Sequence, residues 1–310
     1  MELRIPFLAW CFVTLQVAWA EERCSSHFGK TWQGDAEVNE VSFLQMGLQS
    51  VVNKRDKEEV LRFMHIPKTG GTSIDSANLH LPPDKRAYDS YMLQTYQRIA
   101  DSRHLEGQDL GAIFDESHSD MFSYIIFMGL NAGSYRIIPP GVIDGCEDIH
   151  TPPSRSAEVA LYYQERTTFC AVREPLARYW SAFKMIFYEC DPKSVEKRTL
   201  SLMTELSTRQ YMYNCFFVPQ VQSVWGVSNK SAATHQYCHH ILHEENLDQE
   251  FAELMAEYGQ GVELPAAELM SSWTDHCNMS VADLTPPTKA AVYEYFKADY
   301  EAFGYAKPDF

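Results

Sequence analysis

This chain is short of positive charge. It carries 26 lysines and arginines against 42 aspartates and glutamates, a formal net charge of −16 over 310 residues. That balance excludes a general nucleic-acid binder, which needs a clustered basic surface. It also disfavours a broad basic groove for highly sulfated polymers, although net charge leaves room for a local basic patch. No internal repeat or low-complexity tract is visible, which excludes solenoids and linker-rich arrays. Beyond the first twenty residues there is no apolar run long enough to span a bilayer. Metal-ligand spacing is missing too: Cys238-His239-His240 has no second ligand pair at a zinc-site interval. The chain also lacks a Walker A loop, G-x-x-x-x-G-K-[ST]. In Pro67-Lys68-Thr69-Gly70-Gly71-Thr72-Ser73 the lysine precedes both glycines, and no Walker aspartate pattern accompanies it. A P-loop kinase or nucleotidase is thereby disfavoured.

What is present begins with a secretory signal. Arg4 supplies a minimal positive region, Ile5 to Ala20 is largely apolar, and Ala18-Trp19-Ala20 offers a small-x-small cleavage site before Glu21. An uncleaved signal anchor is the alternative, and it would be the chain's one contact with a membrane. Both readings put the remaining chain in the secretory lumen. Asn229-Lys230-Ser231 and Asn278-Met279-Ser280 are N-glycosylation sequons. Seven cysteines follow the signal, Cys24, Cys146, Cys170, Cys190, Cys215, Cys238 and Cys277. Their odd number leaves at least one unpaired and their connectivity open. Cys170, in an apparent core strand, reads as a small buried hydrophobe. The length suits one enzyme domain: 1–20 as signal or anchor, 21–55 as leader or stem, and 56–310 as the catalytic domain.

The most informative stretch is His65-Ile66-Pro67-Lys68-Thr69-Gly70-Gly71-Thr72-Ser73. It follows an apolar run, Val60 to Met64, that reads as a short buried strand. It precedes Ile74 to Leu79, a helix that Thr72 or Ser73 can cap. A strand, a glycine turn and a helix start make an anion site, because helix N-terminal N–H groups and the helix dipole favour negative charge. Lys68 adds a point charge, and hydroxyls add donors. A second strand, Thr167 to Val172, runs into Arg173-Glu174-Pro175-Leu176-Ala177-Arg178-Tyr179-Trp180-Ser181. Pro175 suits a first helical turn. Arg173 stands at the strand's C-terminal end, where open α/β sheets bind ligands, and Ser181 lies two helical turns on.

Elsewhere the reading is coarser. Helices are expected over Ser90 to Ala100, Leu200 to Tyr213 and Asp248 to Tyr258. A last helix is expected to be capped by Thr285 and to end at Gly304. Strands are expected at Tyr124 to Met128 and His239 to His243. Arg103 to Ser119, Arg136 to Arg155 and Phe216 to Trp225 read as loops. Alternating strands and helices imply an α/β fold, a mostly parallel sheet flanked by helices.

The order P-K-T-G-G-T-S resembles the 5′-phosphosulfate loop of sulfotransferases that use 3′-phosphoadenosine 5′-phosphosulfate (PAPS). With its leading H-I-P it resembles the Golgi carbohydrate sulfotransferases of the heparan sulfate 2-O- and 6-O- type. Arg173 to Ser181 is similar to their R-[DE]-P-x-x-R-x-x-S motif for the 3′-phosphate. Glu245-Asn246-Leu247 resembles their E-[DN]-L segment, and Tyr293 to Tyr305 resembles their closing helix. The likeness covers about Val60 to Tyr305, recognisable in the middle only at the motifs. It implies a P-loop-like sulfotransferase fold, PAPS as donor and adenosine 3′,5′-bisphosphate as product, no metal, and a hydroxyl acceptor on a glycan. Lys68 would neutralise the bond that breaks; Thr69, Gly70, Gly71, Thr72 and Ser73 would cradle the 5′-phosphate; Arg173 and Ser181 would hold the 3′-phosphate. The acceptor needs a base. Among His80, His104, His118 and His150, the last stands before Arg173 at a distance similar to that of the catalytic histidine in the 2-O-type enzymes, though in an H-T-P-P context that differs from theirs. His65 reads as a locally bonded loop residue, and Arg155 as a contact to an acidic substrate or a solvated charge. An inactive lumenal binding protein of the same fold, and a tyrosylprotein or small-alcohol sulfotransferase, are the alternatives.

Overall fold

The computed structural model describes residues 60–102, 145–146, 148–187, 189–228, 230–266 and 277–310. The signal and leader, the expected strand Tyr124 to Met128, the Arg103 to Ser119 loop, Cys24, His104, His118 and Asn229 lie outside the described residues. The described residues fall within one compact unit, Glu58–Phe310.

Four parallel strands make the sheet: β1 (Leu61–Met64), β2 (Tyr88–Ser90), β3 (Thr168–Val172) and β4 (His240–His243), in the order β2-β1-β3-β4. The helices are α1 (Gly71–Leu79), α2 (Tyr91–Ser102), α3 (Ala157–Gln164), α4 (Pro175–Phe187), α5 (Pro192–Leu206), α6 (Gln220–Trp225), α7 (Leu247–Glu257) and α8 (Pro286–Phe303). The two central strands, β1 and β3, are buried on both faces, as the middle of a parallel sheet requires. Residues of β1 and β3 alternate between two cores. Leu61, Phe63, Phe169 and Ala171 meet Ile74 of α1 and Phe251, Leu254 and Met255 of α7. Met64, Cys170 and Val172 meet residues of α2, α3 and α6, among them Tyr96, Tyr163 and Val221. Phe169 is fully buried, with the rings of Phe63 and Tyr88 at 5.1 and 5.0 Å; burial of one such side chain is worth about 1.5–3 kcal/mol. A third core joins α4, α5 and α8 through Tyr179, Phe183, Leu202, Val292 and Phe296.

Several expectations shift. Helix α1 starts at Gly71 with Gly70 at its N-cap, two or three residues earlier than a Thr72 or Ser73 cap implies. Ser90 both closes β2 and caps α2, its hydroxyl accepting from the Leu93 N–H at 3.0 Å, so that helix runs from Tyr91 to Ser102 rather than from Ser90 to Ala100. The helix expected over Leu200 to Tyr213 runs instead from Pro192 to Leu206, because the Asp191 side chain caps it and Pro192 fits its first turn. Residues 220–225, expected as loop, form α6. Its leading N–H groups, on Gln220 and Val221, donate to the buried carboxylate of Asp299, each at 2.9 Å. That cap comes from a distant part of the chain and leaves no local signature. The last helix does start at Thr285, whose side chain accepts from the Thr288 N–H, and ends at Gly304.

Three disulfides tie the described residues, Cys146–Cys215, Cys170–Cys238 and Cys190–Cys277. The reading of Cys170 as a simple buried hydrophobe is therefore corrected: it bridges β3 to the approach to β4. Parallel neighbours need a long crossover, and this bond closes it over 68 residues. Replacing both cysteines with alanine should lower the melting temperature by roughly 5–15 °C, from the usual 2–5 kcal/mol of a native bridge. An unchanged melting temperature would show that this bond is not formed.

Candidate functional site

The strand order locates a crevice. From β1 the chain moves to β2 on one side, then later resumes on the other side of β1 with β3. The connections leaving β1 and β3 diverge, and in open α/β sheets ligands bind at the C-terminal ends of such a pair. The segment leaving β1 is His65 to Gly70, and the residue leaving β3 is Arg173.

The first segment is held in a conformation few residues adopt. Lys68 has φ 68° and Gly70 φ 82°. A Cβ on Gly70 would lie 2.6 Å from a Leu247 methyl group, and one on Gly71 would lie 2.8 Å from the His65 ring. Both glycines are thus required by packing, and the left-handed turn requires the first as well. Thr69 is buried, and its hydroxyl donates to the Ile66 carbonyl at 2.8 Å, so its side chain shapes the loop. No side chain caps α1, which leaves first-turn N–H groups for an external acceptor. Thr72 and Ser73 are half-buried beside them.

Charge is concentrated here. The Lys68 ammonium touches the Met185 sulfur at 3.5 Å. Burial, and then the positive charges of Arg173 and Lys184, lower its pKa to about 8. Lys68, Arg173 and Lys184 stand together in a protein of strongly negative net charge, and an anion among them would relieve the cost borne by Lys68.

Arg178 fixes the two connections relative to each other. It is 1% exposed. Its guanidinium donates to the carbonyls of Pro67 at 3.2 Å and Phe216 at 3.1 Å, and also to Val218. Gln220, just beyond, accepts from the Arg173 N–H and donates to the Arg173 carbonyl, both at 2.9 Å. Loop and arginine are therefore referenced to one rigid stretch, 216–220. Burial pushes Arg178 down to about 10 while Asp299 draws it back up; burial likewise raises Asp299 above the ordinary carboxylate range. Arg178 stays charged at neutral pH. Removing it would strand three carbonyls, a loss on the order of 3–5 kcal/mol.

Two histidines complete the crevice. His65 Nδ1 lies 2.8 Å from the Asp75 carboxylate, which is itself fixed by the Ser90 hydroxyl at 2.8 Å. His150 sits in the short helical turn Asp148–His150, its ring 5.3 Å from that of His65 and 5.2 Å from that of Phe216. Its Nδ1 is buried. Burial, then His65, and finally Lys68 push its pKa well below 6.5, against an opposing hydrogen bond to Asn214. His150 is thus a neutral base at neutral pH. Asn214 is presented by three consecutive residues in the left-handed region, Tyr213 (φ 52°), Asn214 (54°) and Cys215 (60°). That run costs of order 1 kcal/mol or more per residue, and its last member, Cys215, is bonded to Cys146.

The structure therefore brings Lys68, Gly70, Gly71, Arg173 and His150 to one crevice. Ser181 lies half-buried on α4, two turns beyond Arg173. His80 is exposed at the end of α1, where its ring meets Ser76. Arg155 stacks on Tyr211 at 4.6 Å and lines a separate cleft of about 640 Å³ with Arg209 and Tyr295. Asn278 is exposed. Among the described residues no cluster of three or more histidine, cysteine or carboxylate groups could hold a metal. Sequence reasoning passed over Arg178, Asp75, Asn214 and Glu244. Only Arg178 carried a signal, as the second arginine of the R-[DE]-P-x-x-R-x-x-S pattern.

Lys68 makes anion binding pH-dependent. Below about pH 8 free and bound protein both carry the ammonium, so affinity is flat. Above it the free protein has lost the proton, and an anion must draw it back. Affinity then falls, by up to about tenfold per pH unit. Sulfate, which does not titrate in this range, should protect the wild type against thermal unfolding less and less above pH 8. Lys68→Arg should show no such break. A wild-type profile that is flat to pH 9.5 would contradict the assignment.

No family model, curated protein or solved structure matches the chain, so its chemistry rests on this geometry.

Proposed function

We propose that this chain is a PAPS-dependent sulfotransferase of the P-loop-like sulfotransferase fold, acting on a glycan hydroxyl in the secretory lumen. The observation that carries the reading is the pairing, on adjacent parallel strands, of a lysine-bearing loop at a bare helix N-terminus with an arginine, beside a neutral histidine. Two anion positions at the ends of neighbouring strands suit a nucleotide with a phosphate at each of its 5′ and 3′ positions. The three disulfides are compatible with an oxidising compartment. No helix among the described residues is long and apolar enough to cross a membrane.

In this mechanism the first-turn N–H groups of α1 and the Lys68 ammonium hold the 5′-phosphate. Arg173, with Ser181, orients the 3′-phosphate. His150 takes the proton of the acceptor hydroxyl as its oxygen bonds to sulfur. The sulfur–oxygen bond to the 5′-phosphate breaks, its electron pair stays on that phosphate, and Lys68 neutralises the charge. Positioning and charge stabilisation do most of the work, as in phosphoryl transfer.

Two variants separate binding from chemistry. With radiolabelled PAPS and a panel of glycans, Lys68→Ala should lose about 10²–10³-fold in turnover while keeping much of its affinity for adenosine 3′,5′-bisphosphate. Near-normal transfer by that variant would sink the loop assignment. His150→Ala should bind the bisphosphate almost normally and transfer about 10²–10⁴-fold more slowly. Because burial holds His150 well below 6.5, the wild-type rate should stay level through the ordinary histidine range and fall only at lower pH, as the base becomes protonated. A rate that halves near pH 6.5 would assign the base elsewhere.

A further inference from the structure

Arg173 does not face the crevice alone. Beyond β4 the turn Glu244–Asn246 brings two carboxylates to the same corner, and they are used differently. Glu245 is tied into the frame: it accepts from the Glu174 N–H at 2.7 Å and from the Tyr305 hydroxyl at 3.1 Å. Glu174 in turn accepts from the Ala177 N–H and the Tyr300 hydroxyl, both at 2.6 Å. Glu244 instead lies 3.3 Å from Arg173 Nε, an ion-pair contact that is not a hydrogen bond, each side chain 28% exposed. Its Cγ lies 3.7 Å from where a Cβ on Gly70 would stand. The carboxylate thus sits between the arginine after β3 and the loop after β1, with the Glu245 and Glu174 carboxylates held nearby in the frame.

We propose that Glu244 is an internal counter-ion that occupies Arg173 until a ligand phosphate replaces it, and reclaims Arg173 when the product leaves. This rests on the reading of Arg173 as a 3′-phosphate ligand. A phosphate and a carboxylate compete for one guanidinium fork, because each is satisfied by the same pair of parallel donors. While the crevice holds no nucleotide, Glu244 keeps Arg173 neutralised and directed inward. On entry the 3′-phosphate must break that pair and lie beside the displaced carboxylate, which weakens binding. After transfer, the same repulsion favours departure of adenosine 3′,5′-bisphosphate. Release of the spent nucleotide limits many transferases, and Glu244 would trade affinity for turnover. Since both partners are about one-quarter exposed, the pair is worth little by itself. The effect should therefore be a moderate one, about three- to tenfold in affinity.

The test measures binding of adenosine 3′,5′-bisphosphate and adenosine 5′-phosphate to the wild type, Glu244→Gln and Glu244→Ala. Calorimetry reads affinity, stopped-flow reads release, and thermal melting of the free proteins reads folding. Both variants should bind the bisphosphate about three- to tenfold more tightly, mainly through slower release, and gain less for the 5′-phosphate. Weaker binding by Glu244→Gln would mean that Glu244 positions Arg173 for the ligand, and would overturn the proposal. Unchanged bisphosphate affinity also overturns it. Equal gains for both nucleotides would place the repulsion at the loop and overturn it as well. If the wild type binds neither nucleotide, the assignment of Arg173 fails first and the proposal with it.

Discussion

The buried guanidinium of Arg178 is the constraint on which the site depends. A loop leaving one strand and an arginine leaving its neighbour have no reason to keep a fixed separation. Arg178 supplies one by binding the Pro67 carbonyl on one side and the Phe216 and Val218 carbonyls on the other. Gln220 carries the connection to the Arg173 backbone through a double hydrogen bond. Asp299 anchors the far end through the N–H groups of Gln220 and Val221. A buried charge is costly, and here burial pushes Arg178 and Asp299 in opposite directions, each toward neutrality. The cost is tolerated because fixed donors and acceptors on three elements are satisfied together, which holds the geometry of the crevice before any ligand enters.

Around that frame the site is poised by charge. Burial, then the charges of Arg173 and Lys184, depress the Lys68 ammonium to about pKa 8, while burial, His65 and Lys68 keep His150 neutral. One electrostatic arrangement thus serves two purposes: it favours an anion at the loop, and it leaves an imidazole able to accept a proton. The left-handed run at 213–215 and the left-handed Lys68 place strain where these groups meet, as is common at functional sites.

Much of this was legible in the sequence, for identifiable reasons. Strands β1 and β3 are short continuous apolar runs, and the glycine pair and the Arg-Glu-Pro junction are local patterns with local causes. The α/β class with a parallel sheet followed from them. What failed to show depends on contacts far apart in the chain. Helix α6 is capped by Asp299 from the last helix, so its own residues read as loop. Cys170 looks like any core residue until its partner Cys238 is placed beside it. Helix α5 starts at the Asp191-Pro192 junction, about two turns before the expected Leu200, because the Asp191 side chain caps it. At the site, Lys68, Gly70, Gly71 and Arg173 announce themselves by motif, whereas Asp75, Asn214 and Glu244 act through partners that only the fold brings near.

Under the proposed function, the loop after β1 and the arginine after β3 are the two ends of one nucleotide site. A crystal structure of the protein with adenosine 3′,5′-bisphosphate tests it most directly. The 5′-phosphate should lie at the N-terminus of α1 beside Lys68 and the 3′-phosphate on Arg173, with the bonds from Arg178 to Pro67, Phe216 and Val218 unchanged. A nucleotide bound in the Arg155–Arg209 cleft, or seated with its phosphates away from Lys68 and Arg173, would contradict it.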